Sequence, residues 1–257
     1  MIQLKTKEDV RILREAGKKH AEIMEELIAM VRPGLVTSEL DIAACRLMKK
    51  AGGESAILNY QPQGADRPYP ANICISVNEE VVHGIPNENP ITLEEGDIVD
   101  LDFAFSYKGV VTDMAVTVPV GVVSLEIQTL LDTTKAALMT GIKAAKGGKR
   151  IGDISSAIEL VGLSKKYGIV EELAGHGVGF AVHEEPFVPN YGEPGKGELL
   201  KPGMVLAVEP MFNMGSRHVV LDKDDGYTYR TKDGKPSAHF EHTILITKGD
   251  AEILTLL

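Results

Sequence analysis

The feature that most constrains the fold is an internal repeat, because the order helix, helix, strands occurs twice along the 257 residues. Short stretches of the two halves also match in sequence and keep their order along the chain: VVHGIP (81–86) with AVHEEP (181–186), and LEEGDIVDLD (93–102) with LKPGMVLAVE (200–209). These matches align His83 with His183 and Asp102 with Glu209 in sequence. A merely shared backbone shape would repeat glycines and prolines. The repeated ionisable residues therefore favour a polar site on a pseudo-twofold axis.

Hydrophobic periodicity predicts four helices and several clustered strands. The predicted helices cover about 7–31, 37–52, 125–146 and 153–167. The predicted strands include 73–77, 97–107, 110–118, 204–212 and 239–247. Because the strands cluster rather than alternating singly with helices, the fold class is α+β. We expect a single catalytic domain over 1–257, with pseudo-symmetric halves of about 1–121 and 122–257.

Charge and composition exclude several classes of protein. The chain has 27 basic and 37 acidic side chains, a net charge of −10, and no cluster of Lys or Arg. Nucleic-acid binding is therefore excluded, since it depends on neutralising phosphates. No apolar run approaches the roughly 18 residues of a membrane span, and the N-terminus is charged from Lys5 onward, unlike a signal peptide. Two cysteines are too few for a disulfide framework. We expect a cytoplasmic protein that does not bind membranes.

Side-chain alternation places two aspartates on one face of a predicted hairpin. Odd positions of 98–107 are apolar, so Asp102 points to the opposite face. Lys108-Gly109 is typical of a two-residue hairpin loop. That loop makes Asp102 and Asp113 diagonal neighbours at about 7–8 Å between Cα atoms, so both carboxylates can reach one cation.

The last third repeats this arrangement with Glu209 and Glu241, each opposite the apolar stripe of its strand. The alternative is a solvated face of an antiparallel sheet. Such a face would carry Lys, Thr and Glu, but here small apolar residues surround the acids: Ala104, Ala115, Val205 and Ala207. Four carboxylates that converge without cations would raise one another's pKa values. A shared pair of cations is the better explanation.

His176 lies between two glycines, which allow a close approach to the backbone. One imidazole with several carboxylates suits Mn²⁺, Fe²⁺, Co²⁺ or Zn²⁺. His20 and His242 fall on apolar faces, and we interpret them as structural. The patterns leave His218 and His239 undecided.

Five motifs, in the right order and spread over nearly the whole chain, resemble those of the type I methionine aminopeptidases of metallopeptidase family M24. They are NICISVNEEVVHGIP (72–86), DLDF with TDMA (100–103 and 112–115), GHGVGFAVHEEP (175–186), GMVLAVEPM (203–211) and HFEHT (239–243). The resemblance implies the pita-bread, or creatinase/aminopeptidase-like, fold. In this fold a pseudo-twofold duplicated antiparallel sheet is covered by helices on its outer face.

The resemblance also implies a dinuclear metal centre. Its ligands would be Asp102, Asp113, His176, Glu209 and Glu241, with Asp113 and Glu241 bridging both ions. The two divalent ions could be Co, Mn, Fe, Zn or Ni, and the family also allows an additional monovalent cation. A hydroxide bridging the ions would attack the carbonyl after the first residue. This reaction would remove N-terminal methionine, with a preference for a small second residue.

The family's remaining site residues also have counterparts here. Glu209 would shuttle a proton to the leaving amine, while His83 and His183 would bind substrate and assist catalysis. The methionine pocket would be formed by four further residues: Tyr69, Cys74, Val182 and Tyr227. The family often has Phe in place of Val182 and Trp in place of Tyr227. Segment 61–68 also looks longer than usual.

Two other functions remain open. An Xaa-Pro peptidase shares this fold, but such enzymes usually carry an extra N-terminal domain, whereas we expect this chain to begin at the catalytic helix. A metal-free peptide-binding protein should have lost ligands, and all five are present. We expect a monomer that acts on the N-termini of nascent polypeptides near the ribosome.

Overall fold

The computed structural model describes residues 2–256. Its helices are α1 (Lys7–Ile28), α2 (Thr37–Lys50), α3 (Leu125–Ala144) and α4 (Ile151–Lys165). The strands of the first half are β1 (Glu54–Ser55), β2 (Cys74–Val77), β3 (Glu80–Val82), β4 (Ile98–Tyr107) and β5 (Val110–Pro119). Those of the second half are β6 (Gly168–Ile169), β7 (Ala174–Gly177), β8 (Glu184–Pro189), β9 (Val205–Val208), β10 (Met211–Asn213), β11 (Val219–Leu221), β12 (Tyr229–Thr231), β13 (Ser237–His239), β14 (His242–Leu245) and β15 (Glu252–Ile253). The helices and clustered antiparallel strands confirm the α+β class.

Helix α1 starts where its sequence predicts. The backbone N–H of Thr6 donates to the Asp9 carboxylate at 2.8 Å, and the N–H of Asp9 donates to the Thr6 hydroxyl at 3.2 Å. This reciprocal capping satisfies two N–H groups that the first helical turn leaves unpaired. The helix ends at Ile28, three residues short of the predicted 31. The N–H groups of Met30 and Val31 donate to carbonyl oxygens three residues earlier, not four as in an α-helix, so residues 29–31 form turns.

The first large sheet confirms the predicted hairpin. Strand β4 pairs along its whole length with β5, and its other edge pairs with β2 and β1 in turn. The two residues of the tight turn, Lys108 and Gly109, are left-handed at φ 49° and 83°. Asp102 is opposite Ala115, and Asp113 is opposite Ala104. The apolar face of β4 packs into the core beneath α1 and α2, where these side chains are fully buried: Val99, Leu101, Phe103 and Phe105.

The second large sheet has the order β15-β14-β9-β7-β8, and two three-stranded sheets, β13-β10-β6 and β11-β12-β3, lie beside it. Helices α3 and α4 pack together against a second core that contains apolar residues of β8, β9, β10, β13 and β14. Within the described residues, no helix combines the length and the apolar character needed to cross a bilayer.

Two strand predictions were wrong because each predicted strand is split in two. Segment 204–212 forms β9 and β10, which belong to different sheets and are separated by Glu209-Pro210. Segment 239–247 forms β13 and β14, separated by Phe240-Glu241. Pro210 has no N–H to donate to a ladder. The N–H of Glu241 instead donates to the carbonyl of Ala115 in β5, at 2.8 Å. Both glutamates therefore lie where the chain passes between sheets.

Candidate metal centre and active site

All the site residues predicted from the sequence line one cavity of about 550 Å³. They are Tyr69, Cys74, His83, Asp102, Asp113, His176, Val182, His183, Glu209, Tyr227 and Glu241. The cavity takes side chains from both large sheets and from the junctions between sheets. None of the predicted site residues lies elsewhere in the molecule.

Four carboxylates and one imidazole meet at the inner end of this cavity. Asp113 lies on β5 and His176 on β7, and these two strands belong to different sheets. His176 Nε2 is 3.8 Å from Asp113 Oδ2 and 3.4 Å from Glu209 Oε1. Possible ligand atoms of Asp113, His176 and Glu241 all lie within 4.8 Å of one another. The arrangement can hold a cation between the two sheets.

Backbone and hydroxyl contacts fix these side chains across the two sheets. The Thr243 hydroxyl donates to the Asp113 carbonyl and accepts the Asp113 N–H, each at 2.7 Å, which joins β5 to β14. His176 is directly opposite Ala207 in the ladder between β7 and β9. The Asn190 side-chain amide donates to the Glu209 carbonyl at 3.0 Å. The sheets therefore fix the backbone of Asp113 and His176, and Asn190 holds the backbone of Glu209 between two strands.

The electrostatics of the carboxylates call for a cation. Burial, together with Asp113, raises the pKa of Asp102 well above its usual value, and burial raises the pKa of Asp113 to about 6. Burial and the neighbouring Asp113 also raise the pKa of Glu241 well above its usual value. Glu241 Oε1 is buried and has no hydrogen-bond partner among the residues that the structure describes. Because buried charges are normally paired or coordinate metals, the donor set fits divalent cations.

His176 has the hydrogen bonding of a metal-ligating imidazole. Its Nδ1 lies 2.9 Å from the carbonyl oxygen of Gly177, which can only accept, so the hydrogen is on Nδ1. The lone pair of Nε2 then faces Asp113 and Glu209. A donor bond of this kind from the distal nitrogen orients the ring and raises its basicity as a ligand.

Two histidines farther along the cavity are neutral near pH 7. Burial lowers the pKa of His83 to about 4. Burial, with His176 second, lowers the pKa of His183 to about 4. The Tyr60 hydroxyl lies 3.0 Å from His183 Nδ1, and the His183 ring meets the His176 ring edge-on at 4.5 Å. His83 adopts a left-handed backbone, φ 62°, which is uncommon outside glycine.

An apolar pocket adjoins these groups. The rings of Tyr69 and Tyr227 meet edge to face at 5.2 Å, and both pack against the buried Cys74. Val182 lines the same cavity. Burial, with Asp102 second, raises the pKa of the Cys74 thiol well above its usual value, so Cys74 acts here as an apolar surface.

The sequence interpretation missed Asp100 and Tyr60 of the site and left His239 undecided. Asp100 lies behind Asp102, with its Oδ2 atom 3.2 Å from His239 Nδ1, and possible ligand atoms of Asp100, Asp102 and His239 lie within 4.8 Å of one another. The signal was present in the alternation, because Asp100 shares the face of Asp102 and His239 shares the face of Glu241. Tyr60 had no such signal, since its role depends on a contact with distant His183.

The other histidines lie outside the cavity lining. His20 is buried, with Nδ1 2.9 Å from the Thr112 hydroxyl. His242 Nδ1 lies 3.0 Å from the Thr255 hydroxyl. His218 is exposed, 3.3 Å from a carboxylate oxygen of Glu172.

A buried set of carboxylates and one imidazole, beside an apolar pocket in a duplicated α+β fold, defines a metal-dependent hydrolase. The sequence profile of metallopeptidase family M24 matches residues 11–248, and the chain belongs to this family. It is 44% identical to methionine aminopeptidase 1 of Bacillus subtilis over 99% of both chains. It is 43% identical to a methionine aminopeptidase of Aquifex aeolicus, over 100% of this chain and 99% of the relative.

Solved structures agree with these sequence matches. A methionine aminopeptidase from Thermotoga maritima superposes with a TM-score of 0.93 at 39% identity, over 100% of both chains. A prolidase from Pyrococcus furiosus superposes with a TM-score of 0.76 at 24% identity, over 99% of this chain and 65% of the prolidase. The second match shows a shared fold alone. The pita-bread fold implied by the sequence motifs is confirmed.

Proposed function

We propose that the chain is a metal-dependent aminopeptidase that removes the N-terminal methionine from nascent polypeptides. The observation that carries this proposal is that the apolar pocket of Tyr69, Cys74 and Tyr227 opens into the same cavity as the buried carboxylates and His176. Full-length similarity to methionine aminopeptidases supports it. The preference for a small second residue and the cytoplasmic setting on chains emerging from the ribosome rest on this similarity.

Two divalent ions, each of them Co, Mn, Fe, Zn or Ni, belong to the proposal. Five residues would hold them: Asp102, Asp113, His176, Glu209 and Glu241. When bound, such ions lower the pKa of water towards about 7 and so make it nucleophilic. The support from this chain is the donor set, because four carboxylates and one imidazole match borderline and hard divalent ions.

Glu209 is placed to move a proton. Burial would raise its pKa, but His239, whose Nε2 lies 3.6 Å from the carboxylate, and the nearby His176 lower it overall, so the carboxylate is ionised and can act as a base. We propose that Glu209 takes the proton from the attacking water and delivers it to the leaving amine. General acid–base help of this kind typically contributes about 10²–10⁴-fold in rate.

We propose that His183 and His83 contact the substrate peptide. With the Tyr60 hydroxyl donating to His183 Nδ1, the ring hydrogen lies on Nε2 and can donate to the carbonyl oxygen as negative charge develops there. His83 is half-buried and neutral, and we propose that it assists at the leaving nitrogen. Neither imidazole adds a cation to the site near pH 7.

Tripeptides test the proposal directly. Protein loaded with Mn²⁺ or Co²⁺ is expected to release free methionine from Met-Ala-Ser, to lose this activity with a chelator, and to regain it when metal is restored. Ala-Pro-Ala should remain intact. Cleavage of Ala-Pro-Ala in place of Met-Ala-Ser would assign the chain to the Xaa-Pro peptidases that share its fold. Binding of both peptides without turnover by metal-loaded protein would contradict any peptidase assignment.

A further inference from the structure

Segment 61–68 forms one wall of the apolar pocket. Pro62 lines the cavity, and Ala65 packs against the cluster that contains Tyr69, Cys74 and Tyr227. The Tyr227 hydroxyl donates to the backbone carbonyl of Arg67. The position of Tyr227 therefore depends on how firmly this segment is held.

The Arg67 side chain ties the segment to two other loops. Its two terminal nitrogens each donate to one oxygen of the Glu88 carboxylate at 2.6 Å. Its Nε and one terminal nitrogen also donate to the Asp225 carbonyl, at 3.3 and 3.0 Å. A planar guanidinium bound to both carboxylate oxygens has a fixed orientation, unlike a single-point contact. We refer to the contacts of Arg67 with Glu88 and Asp225 as the Arg67 clasp.

The clasp acts on one ring of the pocket and not on the other. Asp225 accepts the backbone N–H of Tyr227 at 2.7 Å, so the turn that the clasp holds is the turn that carries this ring. Tyr69 is anchored independently, because its hydroxyl donates to the Gly84 carbonyl at 2.7 Å. Loss of the clasp would release Tyr227 while Tyr69 keeps its place.

We propose that Arg67 is a positioning residue for selectivity, and this inference rests on the proposed function. By holding Tyr227 against Tyr69, the clasp keeps the pocket narrow enough for the unbranched methionine side chain and too narrow for larger or branched ones. Arg67 does not line the cavity, so it acts through Tyr227 and not on the reacting groups.

The test compares Arg67→Ala and Glu88→Ala with the wild type, all loaded with Mn²⁺, on Met-Ala-Ser, Leu-Ala-Ser and Phe-Ala-Ser. Since a partly exposed ion pair contributes modestly, KM for Met-Ala-Ser should rise about three- to tenfold while kcat changes less than about twofold. The kcat/KM of the leucine and phenylalanine peptides relative to the methionine peptide should rise by a similar factor. Arg67→Lys, which loses the bidentate contact, should fall between Arg67→Ala and the wild type.

Arg14 provides a matched control. Its guanidinium also forms a bidentate pair, with Glu252 at 2.7 Å for both bonds, and like Arg67 it does not line the cavity. This pair joins α1 to β15 instead of the loops around Tyr227. Arg14→Ala should keep the KM and the selectivity of the wild type. Wild-type selectivity in folded Arg67→Ala and Glu88→Ala would overturn the inference, as would a loss of kcat at unchanged selectivity.

Amide hydrogen exchange on metal-free protein tests the clasp without activity. Both clasp variants should exchange faster than Arg14→Ala over 61–68 and 222–228, and equal exchange would overturn the inference. If the wild type released no methionine, the proposed function would fail, and the exchange comparison would still decide whether the clasp holds the turn.

Discussion

Asp100 and His239 form a buried ion pair directly behind the proposed proton-transfer residue. His239 Nδ1 lies 3.2 Å from Asp100 Oδ2, and Nε2 of the same ring lies 3.6 Å from Glu209 Oε2. Burial alone would lower the pKa of His239, but Asp100 and Glu209 raise it well above its usual value. The ring therefore presents a positive donor to the Glu209 carboxylate. Among the described residues Nε2 has no hydrogen-bond partner, and its nearest acceptor on Glu209, at 3.6 Å, lies just beyond hydrogen-bonding distance, so the contact with Glu209 is one of charge.

Replacing His239 should weaken metal binding more than it changes the fold. His239→Ala removes the ring nitrogen that lies 3.6 Å from Glu209 Oε2, and loss of a group that orients a ligand typically lowers metal affinity roughly 10–100-fold. His239→Gln keeps an N–H donor and should retain most of the affinity. Titration calorimetry with Mn²⁺ measures the difference, and His218→Gln serves as an exposed control. Equal Mn²⁺ affinity in wild type and His239→Ala would contradict this role.

Asp113→Asn should separate metal binding from folding. The substitution removes a buried carboxylate whose pKa burial already raises to about 6, so the metal-free variant should be at least as stable as the metal-free wild type at pH 7. At Mn²⁺ about a hundredfold above its dissociation constant, the wild type should gain about 2.7 kcal/mol and the variant far less. Methionine release should be nearly abolished. Thermal unfolding with metal and with chelator measures the stabilities, and an unfolded metal-free variant would argue that Asp113 is structural.

The first half of the site is predictable from local sequence, and the second half only in part. Asp102 and Asp113 share one hairpin, so strand alternation and a two-residue loop determine their relative position. Glu209 and Glu241 were found by the same alternation, but the breaks beside them were missed. The break at Glu241 involves a hydrogen bond from its N–H to Ala115 in a distant strand, whereas Pro210 beside Glu209 was a local signal for the other break. Periodicity describes one strand at a time and carries no information about such long-range contacts.

The roles of His239 and Tyr60 illustrate the same limit. Each depends on a partner more than 100 residues away, Asp100 in one case and His183 in the other. Alternation placed His239 on the face of Glu241 but could not show which carboxylates surround it. The pocket residues were predicted only through the resemblance to a family, since an apolar ring in a loop has no periodic signal of its own.

Gly17→Ala should destabilise the protein although it lies in the interior of a helix. Inside a helix, alanine usually stabilises the protein by about 1 kcal/mol relative to glycine. Here a Cβ would overlap the backbone carbonyl of Leu254, which packs directly on α1. Moving that backbone should cost about 1–3 kcal/mol overall, as overpacking usually does. Urea unfolding measures the change. Gly249→Ala, which adds a methyl group to open space, should stay within about 0.5 kcal/mol of the wild type. A stabilised Gly17→Ala would show that α1 can shift away from Leu254.

Acid should destabilise the fold partly through His20. Its ring is fully buried and lies 4.2 Å from the ring of Phe103, and within residues 2–256 its Nε2 has no hydrogen-bond partner. Burial lowers its pKa from 6.5 to about 3. Since the folded pKa lies below the unfolded one, the unfolded chain binds the proton first. The contribution of neutral His20 to the free energy of unfolding is therefore complete above pH 6.5 and is lost as the pH falls towards 3.

Between pH 7 and pH 5, protonation of His20 in the unfolded chain lowers the free energy of unfolding by about 2 kcal/mol, at 1.36 kcal/mol for each pH unit below 6.5. His20→Met removes the titration and keeps an apolar side chain of similar length. Its free energy of unfolding should fall about 2 kcal/mol less than that of the wild type over this range, whatever its stability at pH 7. The other buried histidines titrate in both proteins, so their contributions cancel in the comparison. Urea unfolding of metal-free protein at pH 5, 6 and 7 measures the difference. Parallel pH profiles for the two proteins would mean that His20 accepts a proton in the folded state nearly as readily as in the unfolded chain.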